Sequence, residues 1–84
     1  MKPAELKKLV TTLKKKFKGK VRSEKVDKKG RYRLEIVSAG FDKLSQLQRQ
    51  DKVWEFVDQV LPRQATLDIS LILTYSPAEL SLAH

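Results

Sequence analysis

Polar and basic side chains gather where the sequence predicts the start of a helix, in a chain of 84 residues. Ser45 is a favourable N-cap residue, and Gln46 opens the helix. Three cationic side chains lie close by in the sequence: Lys43, Arg49 and Lys52. Free helical N–H groups, a serine hydroxyl and cationic side chains together suit a phosphate group. A solvated first turn is the alternative interpretation.

Catalytic chemistry has few residues available in this chain. There is no cysteine, and the one histidine is the last residue, His84. Disulfides, thiolate metal sites and histidine-centred triads therefore cannot be built from this chain alone. One helical region carries Asp51, Glu55 and Asp58, but acids at this spacing are commonly solvated, and acid–base catalysis needs a tuned pocket. We expect a protein that is not an enzyme and that carries no metal or cofactor.

The net charge of +8 is concentrated in the first half of the chain. Residues 1–43 hold 15 Lys and Arg against 5 Asp and Glu, a net charge of +10, whereas residues 44–84 hold 3 against 5, a net charge of −2. This asymmetry indicates a polyanionic partner, namely nucleic acid, an anionic membrane surface or an acidic protein. Lysines that solvate the outer face of a helix are the alternative interpretation.

A basic amphipathic helix is predicted from Pro3 to a stop at Gly19. Its apolar stripe has helical spacing: Leu6, Leu9, Val10, Leu13 and Phe17. Such a helix can lie on a membrane, but the stripe has the width that packing against a core needs. The apolar runs are also shorter than the roughly 18 residues of a membrane span, and the first residues show no secretory signal. We therefore predict a cytoplasmic protein without membrane contact.

Two stretches alternate polar and apolar residues with the period of a half-buried strand. In residues 31–38 the polar side includes Arg31 and Arg33, and the apolar side holds Tyr32, Leu34 and Ile36. Residues 67–75 repeat the pattern, and we expect their apolar side to face the core. It consists of Leu67, Ile69, Leu71, Leu73 and Tyr75, and only Ile72 breaks the alternation.

The remaining segments complete an α+β domain with the order α-β-β-α-β. Residues 44–61 have helical apolar spacing and form a crossover between parallel strands. Residues 48–52 lack apolar side chains, so this part of the helix is expected to project from the core. Residues 20–27 are predicted to form an edge strand, which the turn 27–30 joins to the antiparallel strand at 31–38. We predict one domain with a three-stranded mixed sheet, helices packed on one face, a short C-terminal helical turn at 76–80 and fraying at 81–84.

The spacing of two motifs resembles the BolA-like family. The first runs Leu34-Glu-Ile-Val-Ser-Ala-Gly-Phe41 and continues through Leu44-Ser45 and Gln48-Arg49, with Val53 four residues on. The second, Leu67-Asp-Ile-Ser-Leu-Ile-Leu-Thr-Tyr-Ser-Pro77, is similar to the last strand of the family. With a similar helix and hairpin ahead, the resemblance covers nearly the whole chain. It implies a class II K-homology-like arrangement in which the third strand runs parallel to the second.

The resemblance implies two roles: a regulator that contacts DNA, and an accessory protein that joins monothiol glutaredoxins around a shared [2Fe–2S] cluster. The usual cluster ligands are missing, because Asp68 and Gln50 stand where the family carries histidines and the turn 27–30 has neither Cys nor His. Asp68 offers oxygen, a harder ligand than imidazole. A protein contact without cluster ligation is therefore the alternative to nucleic-acid binding.

Nucleic-acid binding is the leading prediction, in the form of a transcription-regulatory module that contacts the phosphate backbone. K-homology domains that grip nucleic acid use a Gly-x-x-Gly loop, whereas residues 39–45 offer a single glycine. Contacts are therefore expected to come from basic and polar side chains rather than from base reading. The candidate residues are Lys43, Ser45, Gln46, Arg49, Lys52, Arg31 and Arg33.

Overall fold

A computed structural model describes residues 1–83 of the chain. The segments with helical or alternating hydrophobic periodicity form its main helices and strands. The elements in chain order are α1 (Pro3–Phe17), β1 (Lys20–Lys25), β2 (Tyr32–Val37), a 3₁₀ helix (Ala39–Lys43), α2 (Gln46–Val60), α3 (Arg63–Thr66), β3 (Ile69–Tyr75) and α4 (Pro77–Ala83). None of the helices in the described part of the chain has the length and hydropathy needed to cross a membrane.

The three strands form one mixed sheet in the order β1-β2-β3. β1 and β2 are antiparallel, with a register from Lys20 opposite Val37 to Lys25 opposite Tyr32. A tight turn joins them, in which Gly30 has a φ of 85°, a conformation that side-chain-bearing residues rarely adopt. β3 pairs with β2 in parallel, after the crossover through α2. The predicted α+β class, element order and mixed sheet are therefore confirmed.

One face of the sheet is covered by α1 and α2, and the hydrophobic core lies between the two layers. Burial of apolar side chains is the main favourable contribution to such a fold. The buried residues from the helical layer include Leu9, Leu13, Phe41, Val53 and Val57. Those from the sheet are Val21, Leu34, Ile36, Ile69 and Ile72.

The apolar side of β3 differs from the prediction, because the parallel pairing contains a bulge. Tyr32 pairs with Ile69, but Arg33 pairs with Leu71, so Ser70 is an extra residue in the ladder. The extra residue changes the phase of the alternation, since one inserted residue turns every later side chain to the opposite face. Ile72 therefore points into the core, whereas Leu71 is 47% exposed.

Three segment boundaries also differ from the sequence prediction. Leu67 ends α3 and is exposed rather than being the first residue of the last strand. Residues 63–66 form a short helix instead of an irregular connection. The C-terminal helical segment extends beyond Leu80 to Ala83, and His84 lies outside the described residues.

The close approach of α1 to the end of β2 depends on Gly19 and Ser38. A Cβ atom on Gly19 would lie 2.0 Å from the carbonyl oxygen of Val37. The Ser38 hydroxyl donates to the Phe17 carbonyl at 2.5 Å and accepts from the Gly40 N–H at 3.2 Å. Gly19 is therefore required for packing. The left-handed residue that ends α1 is Lys18, with a φ of 51°.

Replacement of Gly19 by alanine is expected to lower the free energy of unfolding by at least about 2 kcal/mol, because the backbone of β2 must move to admit the new methyl group. Urea denaturation followed by circular dichroism measures the change. Gly40→Ala is the matched control, since its Cβ would meet no heavy atom closer than the Ser38 hydroxyl at 3.5 Å. Equal denaturation midpoints for the two variants would contradict the packing role of Gly19.

Candidate functional site

The start of α2 is closed by side-chain hydrogen bonds. The Ser45 hydroxyl accepts from the Gln48 N–H at 3.2 Å, and the Gln48 side-chain oxygen accepts from the Ser45 N–H at 2.9 Å. This capping box confirms Ser45 as the N-cap residue. Because the Gln48 N–H donates to the Ser45 hydroxyl, that N–H is not open to a phosphate group, whereas the proton of the Ser45 hydroxyl is not used in the capping box.

Arg49 is a structural residue in this fold, with 3% of its surface exposed. Its Nε–H donates to the carbonyl oxygens of Phe41 at 3.0 Å and Leu44 at 3.1 Å. Its Nη1 donates to the carbonyl oxygen of Thr74 at 3.4 Å and lies 2.6 Å from a carboxylate oxygen of Glu79. The expectation that this part of α2 projects from the core is therefore wrong, and Arg49 offers no free guanidinium to a ligand.

Two glutamines of α2 hold the helix against the outer edge of β3. The Gln46 side chain donates to the Thr74 carbonyl at 3.3 Å and accepts from the Thr74 hydroxyl at 2.9 Å. The Gln50 side chain donates to the Ile72 carbonyl at 2.8 Å and accepts from the indole N–H of Trp54 at 3.2 Å. These bonds provide donors for carbonyl groups of an edge strand. The Gln46 side chain, which was predicted to contact nucleic acid, is therefore used in packing α2 against β3.

Lys52 lines a cleft of about 600 Å³ between the end of α1, the 3₁₀ helix and the middle of α2. Lys16 and Lys18 line the same cleft, which we call the α1–α2 cleft. None of the three lysines forms an ion pair within residues 1–83. Glu55 is the one acidic residue among the described residues that line it. The cleft therefore presents a concentration of positive charge to an anionic partner.

The other basic candidates lie elsewhere. Arg31 stands at the hairpin end of β2, 2.7 Å from the carboxylate of Asp27, and this hydrogen bond lowers the pKa of Asp27. Arg33 pairs with Glu24 on the sheet face opposite the helices. Lys43 is exposed at the end of the 3₁₀ helix. The seven predicted residues thus divide among separate regions, and of these only Lys52 lines the cleft.

Lys16 and Lys18 are the members of the cleft that sequence reasoning missed. They lie in the lysine-rich end of α1, outside its apolar stripe, and so resemble ordinary solvated lysines. The end of α1 approaches the 3₁₀ helix through the Ser38 contact and α2 through its aromatic side chains. Phe17 lies 5.5 Å from Phe41 and 6.1 Å from Phe56 between ring centroids. That tertiary contact, which no local pattern records, creates the cleft.

The side chains where the sequence resemblance implied cluster ligands do not fit an iron–sulfur cluster. The Asp68 carboxylate pairs with the amino group of Met1. No three His, Cys, Asp or Glu side chains within residues 1–83 come together to hold a metal ion. A cluster needs thiolate or imidazole ligands that these residues do not supply.

The fold and its element order define a BolA-like α+β domain. The structure is similar to that of BolA1 from Arabidopsis thaliana, with a TM-score of 0.66 over 89% of this chain and 94% of that chain, at 19% sequence identity. No family model and no curated protein matches the sequence. The resemblance inferred from sequence motifs is therefore confirmed as a likeness of fold.

The contact between Arg49 and Glu79 makes stability depend on pH. The hydrogen bond from Arg49, together with that from the Ser76 N–H, lowers the pKa of Glu79 to about 2. Since the unfolded chain takes up this proton at higher pH than the folded chain, the stabilisation is complete above about pH 5 and is lost as the pH falls toward 2. The free-energy difference between wild type and Glu79→Gln, from urea denaturation, is expected to shrink over that range.

Asp58→Asn is the matched control for this measurement, because Asp58 is exposed and forms no ion pair within residues 1–83. The difference in free energy of unfolding between Asp58→Asn and wild type should change little between pH 7 and pH 3. A Glu79→Gln difference that is equally constant would show that the Arg49 contact does not stabilise the folded chain.

Proposed function

We propose that this chain is a non-enzymatic, BolA-like module that binds nucleic acid through its phosphate backbone, with the lysines of the α1–α2 cleft as the main contacts. The observation that supports this most directly is that three arginines are paired with carboxylates, whereas, in the part of the chain that the structure describes, the lysines of the cleft are not. Arg31, Arg33 and Arg49 are engaged with carboxylates. Lys16, Lys18 and Lys52 converge on one cleft without such partners within residues 1–83.

The charge distribution supports a polyanion as the partner. The net charge is +8, and the first 43 residues hold the excess of Lys and Arg. Lysine ammonium groups on flexible stems act as point charges toward phosphate and carry little base specificity. The resulting contacts suit a DNA-contacting regulator, and their strength is expected to fall steeply with salt because binding releases counterions.

Neutralisation of the three cleft lysines tests the proposal. The variant Lys16→Gln, Lys18→Gln, Lys52→Gln is expected to weaken binding of a labelled oligonucleotide by 10-fold or more at low salt. The slope of log Kd against log salt should fall by about 2 to 3, since each lost phosphate contact contributes roughly 0.7 to 0.9. Fluorescence anisotropy at several salt concentrations measures both quantities.

The matched control is Lys25→Gln, Lys28→Gln, Lys29→Gln, which removes the same charge from exposed residues at the hairpin end. Its salt slope should change by less than about 1. Equal losses in the two triple variants would show that charge acts diffusely rather than at the cleft. Absence of binding by the wild-type chain at low salt would end the proposal.

A protein contact with a monothiol glutaredoxin is the second candidate function. It is supported by two large apolar side chains exposed near the start of β3, Leu67 at 72% and Leu71 at 47%. Apolar side chains that are exposed next to one another are typical of surfaces that bind another protein, and Leu67 and Leu71 are four residues apart in the sequence. Since Asp68 is paired with the amino group of Met1, the proposed contact does not include cluster ligation.

Mixing the chain with a cluster-loaded monothiol glutaredoxin tests this second candidate. We expect co-elution on a sizing column with an unchanged visible spectrum, and loss of co-elution for Leu67→Ser, Leu71→Ser. Val26→Ser, at an apolar residue exposed by 54% at the hairpin, is the control and should retain the complex. Separate elution of the wild-type proteins would exclude the contact, and a changed spectrum would contradict the absence of ligation.

A further inference from the structure

We infer that the α1–α2 cleft receives an unpaired nucleobase, stacked on the ring of Phe56, while the lysines of the cleft contact the flanking phosphates. This inference rests on the proposed function and gives it a substrate class, single-stranded nucleic acid. It follows from the aromatic side chains of the cleft, which the phosphate contacts do not use.

The aromatic floor of the cleft is formed by Phe17, Phe41 and Phe56. Phe41 is buried in the core, whereas Phe17 and Phe56 are half-buried and line the cleft. Phe17 meets Phe56 nearly at a right angle, with an interplanar angle of 83°. This T-shaped contact holds the Phe56 ring in place.

A cation already covers the Phe56 ring. The Lys16 ammonium group lies 5.7 Å from the ring centroid. A lysine stem is flexible, and the side chain is exposed, so it can move off the ring to meet a phosphate. A stacked base can then replace the ammonium group on the aromatic surface, because every base has a flat π face.

The size and charge of the cleft select this occupant. Its volume of about 600 Å³ falls within the roughly 300 to 1,000 Å³ of sites for small organic ligands, so it can admit a nucleotide. Three lysines against one glutamate give its lining a positive charge that complements phosphates on either side of a base. A base inside a duplex is stacked on its neighbours and cannot enter, so the cleft favours unpaired strands.

The test compares a labelled single-stranded 12-mer with its duplex by fluorescence anisotropy at one fixed salt concentration. Phe56→Leu keeps apolar volume but removes the ring, and is expected to weaken single-strand binding by about 5- to 150-fold, the range for loss of one base–aromatic stack. Duplex binding should change by less than about 2-fold. Phe56→Tyr should retain the wild-type affinity, which separates loss of stacking from loss of folding.

Tyr75→Leu is the matched aromatic control, because Tyr75 is half-buried on the sheet face away from the cleft. It should change neither affinity by more than about 2-fold. A second measurement titrates the chain with adenosine monophosphate and with ribose 5-phosphate, followed by NMR. The nucleotide should shift the Phe56 ring protons strongly, because a stacked base lies against the ring, whereas ribose 5-phosphate should cause only the smaller shift that follows from displacement of Lys16.

The outcomes separate this inference from the proposed function. Failure of both the strand and the duplex to bind would overturn the two together. Equal affinity for strand and duplex, with no effect of Phe56→Leu, would overturn the base site and leave phosphate binding intact. Binding of a medium-chain fatty acid in place of the nucleotide, with the same Phe56 shifts, would also overturn it and identify the cleft as a lipid site.

Discussion

The guanidinium group of Arg49 lies inside the molecule, where it joins the segment just before α2 to β3 and α4, which lie 25 and 30 residues further along the chain. It donates to carbonyl groups at Phe41 and Leu44 on one side of the α2 start and at Thr74 in β3, and it pairs with Glu79 in α4. A buried carbonyl that loses its partner costs about 1 to 3 kcal/mol, and an unpaired buried charge costs more. The positions of the 3₁₀ helix, α2 and α4 relative to the sheet therefore depend on one side chain.

The basic character of the site and the Ser45 cap could be predicted from the sequence. Which basic side chains form structural ion pairs and which line the cleft could not. Hydrophobic periodicity treats every arginine as exposed, so it missed that Arg49 falls four residues before Val53 and eight before Val57, on the buried face of α2. That spacing was a usable signal. Lys16 and Lys18 had no comparable signal, because their proximity to Lys52 arises from the packing of two helices that are far apart in the chain.

The fold was predictable where local rules act alone. The Asp27–Gly30 turn, the capping residue of α2 and the alternation in β2 are local features, and each led to the element observed. The burial pattern of β3 failed because its phase is set by pairing with β2, where Ser70 is inserted into the ladder. The one trace of the bulge in the sequence was Ile72, the apolar residue that breaks the alternation. Thr74 then lies inside, which the hydrophobic pattern assigned to solvent.

The two outer edges of the sheet face solvent in different ways, and this bears on aggregation. Along β3, the carbonyl oxygens of Ile72 and Thr74 already accept hydrogen bonds from Gln50 and Gln46, so an incoming strand finds acceptors in use. The exposed edge of β1 has no such cover from α2, and its cationic side chains repel a second copy of the same strand. Because salt screens that repulsion, intermolecular growth of the sheet should start at β1 and at high ionic strength.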